Sequence, residues 1–323
     1  MPNACLRHTA AQNADAINRH LERLMPVLTP AGVALGFFLP DIFIHLRPFV
    51  PWLFGLMTLA GALNLRIGEL GSAIRSPVPI TAFYFSAHIL MPLCALFTAS
   101  LFFGGSPDTV AGFILLFSGP AAVSSFMWVT MFKGDKALCL TLILLDTLLA
   151  PLVVPGTIAL LIGTKVTMNI TGIAISLILM VVVPTIIGVT LNETTRGTIP
   201  AVVCPYLNPV SKICLMLVIA ANASPVARIL HINDPMVWGI AALCIILSAG
   251  GFVLLKVTGI AMKSNREKSV SLFFAGGLRN ISAVSTIAVT FFPEAAALPA
   301  LLGIVFQQTL SAIMGNLFIK DKY

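Results

Sequence analysis

Long apolar stretches, separated by short polar segments, recur along the whole chain. Most of them are long enough to cross a hydrocarbon core of about 30 Å as an α-helix. The stretches between polar, proline or glycine residues predict ten membrane spans, at residues 24–39, 49–65, 79–103, 109–132, 137–163, 171–191, 206–227, 236–262, 269–292 and 296–319. The predicted fold class is therefore an all-α polytopic membrane protein.

The composition supports the same class. Of 323 residues, 58% are hydrophobic and 10% are charged, whereas about 25% are charged in an average soluble domain. This excludes a water-soluble globular enzyme, and a lipid bilayer is the expected surrounding. The net charge of +7 does not predict a nucleic-acid partner, because the basic residues are scattered between apolar stretches and form no basic aromatic patch.

The cysteines do not predict a metal site. The six of them lack the spacing of metal ligands. We interpret the four that lie within apolar stretches as packing residues, namely Cys94, Cys139, Cys214 and Cys244.

The basic residues predict the orientation of the chain. If both termini are cytoplasmic, thirteen Lys and Arg residues lie in inside segments and three, Arg47, Lys165 and Arg228, lie in outside loops. This bias favours an even number of spans and this orientation. The predicted location is the plasma (inner) membrane. Ten spans divide into two five-helix repeats of inverted orientation, a plan common to secondary transporters. The predicted boundaries are a cytoplasmic segment 1–23, repeats 24–163 and 164–319, and a cytoplasmic tail 320–323.

Three ionisable residues are predicted at the same depth in the membrane. Asp146, Arg279 and His88 lie nine or ten residues from the cytoplasmic ends of their spans, which corresponds to about 14 to 15 Å. Ionisable residues at this depth are costly and are candidates for function. Asp146 and Arg279 either form a structural ion pair or face a cavity and contact a substrate or a proton. For His88, the alternative is a hydrogen-bonded packing residue.

Two of the spans are predicted to be broken. Their interrupting and adjacent polar residues are Gly119, Pro120, Ser124 and Ser125 in the fourth span, and Gly276, Gly277, Arg279 and Asn280 in the ninth. The breaks correspond between the two halves, since the fourth and ninth spans are five apart. Paired interruptions are typical of transporter binding sites, because broken helices present free backbone groups to a solute. The alternative is that glycine and proline only permit kinks and close packing.

Enzymatic chemistry finds little support. A Ser/His hydrolase built from Ser124 or Ser125 with His88 lacks the GxSxG turn that would expose the nucleophile. The chain also carries no Walker loop, dinucleotide fingerprint or HExxH motif. The prediction is therefore a protein that is not an enzyme and holds no metal.

Several segments resemble the bile acid:sodium symporter family over nearly the whole chain. The segment SGPAAVSSFMWVTMFKGDKALCLTLILLDTLLAPLVVP is similar to the family's fourth and fifth helices, and FAGGLRN to its ninth. The residues in register are Pro120, Ser125, Gly134, Asp135, Ala137, Leu138, Thr147, Pro151, Pro155, Gly277 and Asn280. The resemblance implies a panel domain of spans 1, 2, 6 and 7, and a core domain of spans 3–5 and 8–10 in which the two broken helices cross.

The chain departs from this family at the sodium ligands. The resemblance implies oxygen ligands at four positions that read Ala87, Phe126, Ala275 and Arg279 here. Apolar groups and a cation do not coordinate Na⁺. Ser125 and Thr147 remain of the matched set, and Asp146 is a new neighbour. Classical coupling to two sodium ions is therefore not expected.

These observations predict a carrier of small organic anions, either bile-acid-like or ketoacid-like, that works by alternating access. Its predicted binding residues are Arg279, Asp146, Ser124, Ser125, Asn280, Thr147 and His88. No cofactor is expected; sodium is in doubt, and a proton bound by Asp146 is an alternative coupling ion. A facilitator, a membrane-embedded receptor or enzyme, and an arsenite-efflux relative are further alternatives, although the fourth helix lacks a cysteine for arsenite. The oligomeric state is left open.

Overall fold

The computed structural model describes residues 27–65 except 29, residues 77–163, 169–227 and 234–319, and residues 14, 16–18, 20, 21 and 24. Within these residues the regular structure is helical and contains no strand. Most of the predicted segment 1–23 and the predicted tail 320–323 lie outside the described residues.

We number eleven helices in the described ranges. They are α1 (Pro40–Ala62), α2 (Pro77–Phe103), α3 (Pro107–Ser118), α4 (Ser125–Met131), α5 (Lys136–Ile162), α6 (Ile170–Thr194), α7 (Thr198–Val226), α8 (Pro235–Ala261), α9 (Arg266–Gly277), α10 (Ile281–Phe291) and α11 (Glu294–Phe318). Residues 30–38, which precede α1, are helical as well.

The helices agree with a multi-pass membrane protein. Within the described ranges, seven helices are long and apolar enough to cross a membrane, namely α1, α2, α5, α6, α7, α8 and α11. The predicted fourth and ninth spans are each divided into two shorter helices, α3 with α4 and α9 with α10. The all-helical class with several membrane spans is thereby confirmed, and the ten-span inverted repeat stays a prediction.

Local sequence explains where several helices begin. Prolines occupy the first turn of α1, α3 and α8, where the missing N–H would have had no intrahelical partner. Asp135 caps α5 by accepting a hydrogen bond from the Leu138 amide at 3.0 Å. Asn265 caps α9 in the same way through Lys268 N, also at 3.0 Å. Each cap satisfies a backbone donor that the helix itself leaves open.

The chain divides into two compact units. The first unit comprises residues 1–67 and 178–224. Its helices pack closely through small residues. Gly188 lies so near Ala62 that an added Cβ would be only 2.7 Å from the Ala62 Cβ. The Asn192 side chain also donates to the Leu65 carbonyl at 2.8 Å, which joins α6 to the end of α1.

The second unit comprises residues 68–177 and 225–323. Gly112 of α3 brings that helix against α11, since an added Cβ would lie 2.3 Å from the Ala296 carbonyl oxygen. A buried cluster that includes Phe83, Phe252 and Phe273 fills the interior of this unit. Each unit takes residues from both predicted repeats, and the boundaries of those repeats remain predictions.

The cysteines follow the packing interpretation with one correction. Cys139, Cys214 and Cys244 are buried, as is Cys204. Cys94, which we expected to pack inside the protein, is exposed on α2. An apolar stretch that faces lipid has the same composition as one that faces a protein interior, so hydrophobicity alone did not separate the two.

Candidate functional site

The two interruptions lie side by side in the second unit and complete each other's backbone hydrogen bonds. The chain between α3 and α4 meets the chain between α9 and α10 in an antiparallel bridge of Ala121 with Arg279. Asn280 N donates to Pro120 O at 2.7 Å, and Ala122 N donates to Leu278 O at 3.0 Å. Lipid offers no hydrogen bonds to backbone groups freed at a break, so the pairing allows both breaks to exist inside a membrane.

The glycines at the breaks are needed for close approach. A Cβ added to Gly119 would lie 2.4 Å from a methyl carbon of Val284, and one added to Gly277 would lie 2.2 Å from the ring of Phe252. Both distances are too short for carbon atoms in contact. Glycine therefore lets the two breaks sit against α10 and α8.

Arg279 lies in the ninth-helix break and is 3% exposed. Its guanidinium donates to two carbonyl oxygens, Gly119 at 3.2 Å and Ala87 at 2.6 Å. Its own carbonyl accepts a hydrogen bond from the Gln307 side chain at 2.6 Å. Arg279 thus joins its break to the fourth-helix break, to α2 and to α11.

Asp146 accepts a hydrogen bond from a backbone amide of the fourth-helix break. Its side chain is fully buried within α5, and Oδ2 accepts a hydrogen bond from the Ala121 amide at 2.6 Å. A hydrogen bond to a charged acceptor is stronger than a neutral one, so this carboxylate is well suited to hold an amide that no helix partners.

The second oxygen of Asp146 faces His88. Oδ1 lies 2.7 Å from His88 Nε2, which is within salt-bridge distance but not aligned as a hydrogen bond; the pair is ionic only when the imidazole is protonated. His88 belongs to a π-helical turn of α2, Phe85–Leu90, and π turns are frequent at functional sites. The Tyr84 ring stacks on the imidazole, with centroids 5.4 Å apart. In the described part of the chain, the buried Tyr84 Oη and His88 Nδ1 have no hydrogen-bond partner.

The sequence left open a structural ion pair between Asp146 and Arg279, and the structure does not form it. Among the described residues the salt-bridge partner of Asp146 is His88. Arg279 instead donates to neutral carbonyls. Asp146, Arg279 and His88 were predicted to lie at the same depth, and all three lie near the crossing of the two breaks. The salt-bridge partner of Asp146, however, is His88 and not Arg279.

The remaining predicted site residues lie close to the breaks in different roles. Ser125 is buried and donates to Ala122 O at 2.6 Å. Asn280 caps α10 by accepting a hydrogen bond from Ala283 N at 3.2 Å. Thr147 is buried beside Asp146, whereas Ser124 is half-buried where α4 begins.

Two glutamines of α11 were missed in the sequence. Gln307 bonds the Arg279 carbonyl, and Gln308 accepts a hydrogen bond from the Trp128 indole at 3.2 Å. Adjacent residues of one helix therefore contact the ninth-helix break and the helix that follows the fourth-helix break. The signal was available, since two amides stand together in the apolar stretch LLGIVFQQTLSAIM.

The positions that the resemblance assigns to sodium ligands lack oxygen-bearing side chains. Ala87 and Ala275 are fully buried, Phe126 is half-buried, and Arg279 carries a positive charge. Within the described ranges, no group of three or more His, Cys, Asp or Glu residues could hold a metal ion. The arrangement offers one buried cation beside a carboxylate and an imidazole, which is suited to binding an anion or exchanging a proton.

Comparison with known proteins gives a family match and several relatives. The family model of the Sodium Bile acid symporter family matches residues 50–232. The chain is 40% identical over 291 residues to the uncharacterized protein YbaS of Bacillus subtilis (strain 168), which covers 90% of this chain and 95% of that protein.

Two other relatives match over shorter lengths. The probable sodium/metabolite cotransporter BASS3, chloroplastic, of Oryza sativa subsp. japonica is 30% identical over 167 residues, covering 51% of this chain and 39% of that protein. The uncharacterized sodium-dependent transporter YocS of Bacillus subtilis (strain 168) is 28% identical over 123 residues, covering 38% and 37%. The matched region therefore spans less than half of each of these two relatives.

Proposed function

The chain belongs to the sodium bile acid symporter family and is a secondary transporter, and from this premise we propose that it carries small organic anions by alternating access. Membership of a transporter family implies that the chain is not an enzyme. The proposal further places the protein in the plasma membrane with both termini in the cytoplasm, as the distribution of basic residues favours.

The observation that carries the proposal is the crossing of the two breaks, with Arg279 buried in it. A guanidinium has five N–H donors in a fixed plane and matches the geometry of a carboxylate. The helix that begins at the second break, α10, also presents the positive end of its dipole at the crossing, which favours negative charge. These features support an organic anion as the solute and leave its carbon skeleton, bile-acid-like or ketoacid-like, to experiment.

We further propose that transport does not depend on sodium. Three of the four positions compared with sodium ligands bear apolar side chains, and the fourth is Arg279. The guanidinium donates to the Gly119 and Ala87 carbonyls, oxygens of the kind that would otherwise suit a cation. In this proposal, Arg279 supplies a fixed positive charge in place of a bound ion. The names of BASS3 and YocS mention sodium, which makes the measurement decisive.

A fixed charge does not couple transport to a gradient. The carrier is then either a facilitator or coupled to protons, with Asp146 as the proton site. The contact of Asp146 with His88 supports coupling to protons, because binding one proton between these two side chains changes the net charge of the pair. Coupling requires that this proton be bound and released once in each transport cycle.

Alternating access is proposed to involve movement of one compact unit against the other. The first unit contains α1 and most of α6 and α7, whereas the second contains α2 to α5 and α8 to α11. This division supports the panel and core domains that the resemblance implies. The two breaks, Arg279, Asp146 and His88 all belong to the second unit.

The test is uptake by the purified full chain in proteoliposomes, with radiolabelled pyruvate and taurocholate as probes of the two solute classes. Saturable accumulation of either anion supports the carrier, whereas binding without flux would favour a receptor. The assay is run with an imposed Na⁺ gradient, with choline in place of Na⁺, and with a pH gradient. A strong Na⁺ requirement would overturn the proposed role of Arg279. Unchanged pH dependence in Asp146→Asn would remove Asp146 as the coupling group.

A further inference from the structure

A small cavity adjoins Arg279 inside the second unit. Its apolar walls come from α3, α8, α10 and α11, and its polar groups belong to Arg279, Gln307 and Ser248. It is large enough for roughly one water-sized ion or molecule. A whole organic solute does not fit there, but a single ion or one acid group does.

The charge of Arg279 is not neutralised by direct contact. Of its five N–H donors, hydrogen bonds to the described residues use one on each terminal nitrogen, and both acceptors are neutral carbonyls. The nearby carboxylate of Asp146 has one oxygen on the Ala121 amide and the other against His88. A buried cation is costly unless an anion pairs with it. Because Arg279 lines this cavity, the cavity is where such an anion is expected.

The other groups around the cavity favour negative charge as well. The Ser248 hydroxyl is half-buried and makes no hydrogen bond with the described residues, so it remains available as a donor. Ile281, the first residue of the eleven-residue helix α10, also lines the cavity. The N-terminal end of α10, which carries the positive end of the helix dipole, therefore borders the cavity. No acidic side chain lines it.

We infer that this cavity binds one small anion of halide size, held by Arg279 and by the Ser248 hydroxyl. The same chemistry is offered by the carboxylate of a carried solute. The inference deepens the proposed function. A halide occupies the cavity when no solute is bound, and the acid group of the carried solute replaces it; this second step rests on the proposed function. The rest of the solute then lies outside the cavity.

The test measures thermal unfolding of the detergent-solubilised full chain in choline gluconate, with choline chloride, bromide or formate added at constant ionic strength. Gluconate is too large for the cavity and serves as the reference anion. The unfolding midpoint is expected to rise saturably with chloride and bromide, and with formate if a carboxylate takes the same position. A response to formate but not to halides would overturn the halide assignment.

Variants connect the response to the site. Arg279→Gln is expected to abolish the anion response, and Ser248→Ala to weaken the apparent affinity roughly three- to tenfold, the loss of one hydrogen bond. Lys256→Gln is the control, because Lys256 donates to the Phe318 carbonyl and does not line the cavity. Should Arg279→Gln not fold, Ser248→Ala carries the comparison.

Equal midpoints in chloride, bromide, formate and gluconate would overturn the inference, and so would an unchanged affinity in Ser248→Ala. Uptake of pyruvate or taurocholate in gluconate media separates this failure from a failure of the proposed function. Flux without an anion response refutes the cavity site but supports the carrier function. An anion response without flux supports the cavity site but refutes the carrier function.

Discussion

The contact between His88 and Asp146 yields a quantitative prediction for a double-mutant cycle. His88→Leu leaves the Asp146 carboxylate buried without its partner, and Asp146→Leu leaves both the imidazole and the Ala121 amide without theirs. Replacing both side chains removes the pair as a whole. The two losses of stability should therefore not add.

The magnitudes follow from these contacts. Breaking a buried pair by removing one partner costs about 3 to 5 kcal/mol, so each single variant should lose stability in that range. The double variant keeps one defect, the unpartnered Ala121 amide, at about 1 to 3 kcal/mol. The coupling energy is the amount by which the two single losses together exceed the loss in the double variant. It should therefore be at least about 3 kcal/mol, at the upper end of the range for residues in contact. For Arg279 and Asp146, which form no ion pair in the described structure, it should be smaller.

The measurement is equilibrium unfolding of the full chain in mixed detergent micelles, with both cycles made in the same background. His45→Leu and Glu294→Leu provide a control cycle, since both side chains are exposed and belong to different units. Their losses should be small and additive. A coupling energy for Arg279 and Asp146 equal to or larger than that for His88 and Asp146 would refute the assignment of partners.

Three further predictions follow from the packing, the crossing and the proposed coupling. Gly112→Ala should destabilise the chain by about 1 to 3 kcal/mol in the same unfolding assay, because the added carbon would lie 2.3 Å from the Ala296 carbonyl oxygen. Gly156→Ala is its control: an added Cβ there meets nothing within 4 Å, so its stability should stay within about 1 kcal/mol of wild type. Gln307→Leu should lose about 1 kcal/mol, since its amide bonds the Arg279 carbonyl, and a wild-type midpoint would contradict that bond. Replacing Na⁺ by choline should leave the initial rate of anion uptake unchanged.

The sequence predicted the breaks because their cause is local. Glycine and proline interrupt helices through their own backbone chemistry, and the chain leaves α3 after Ser118 and α9 after Gly277. The all-helical membrane class followed from hydrophobicity alone. The family resemblance, which rested on motifs around these same segments, is confirmed by the match over residues 50–232.

The partners within the site were less accessible to sequence reasoning. A rise of 1.5 Å per residue gives the depth of Asp146, but not the direction in which its side chain points around α5. The π-helical turn at Phe85–Leu90 also changes the angular position of His88 from that of a regular α-helix. The sequence therefore predicted the same membrane depth for all three side chains. Only the structure shows that His88, and not Arg279, is the partner of Asp146.

The bridge between the two breaks has a consequence for how the chain is made. Backbone groups of residues 119–122 are bonded by residues 278–280, which the ribosome adds more than 150 residues later. Until then the Pro120 carbonyl and the Ala122 amide lack these partners, at a cost of several kcal/mol for each unsatisfied group in lipid. The first five predicted spans are thus not a self-sufficient membrane module. A chain that stops before Leu278 therefore keeps both of these backbone groups without their partners.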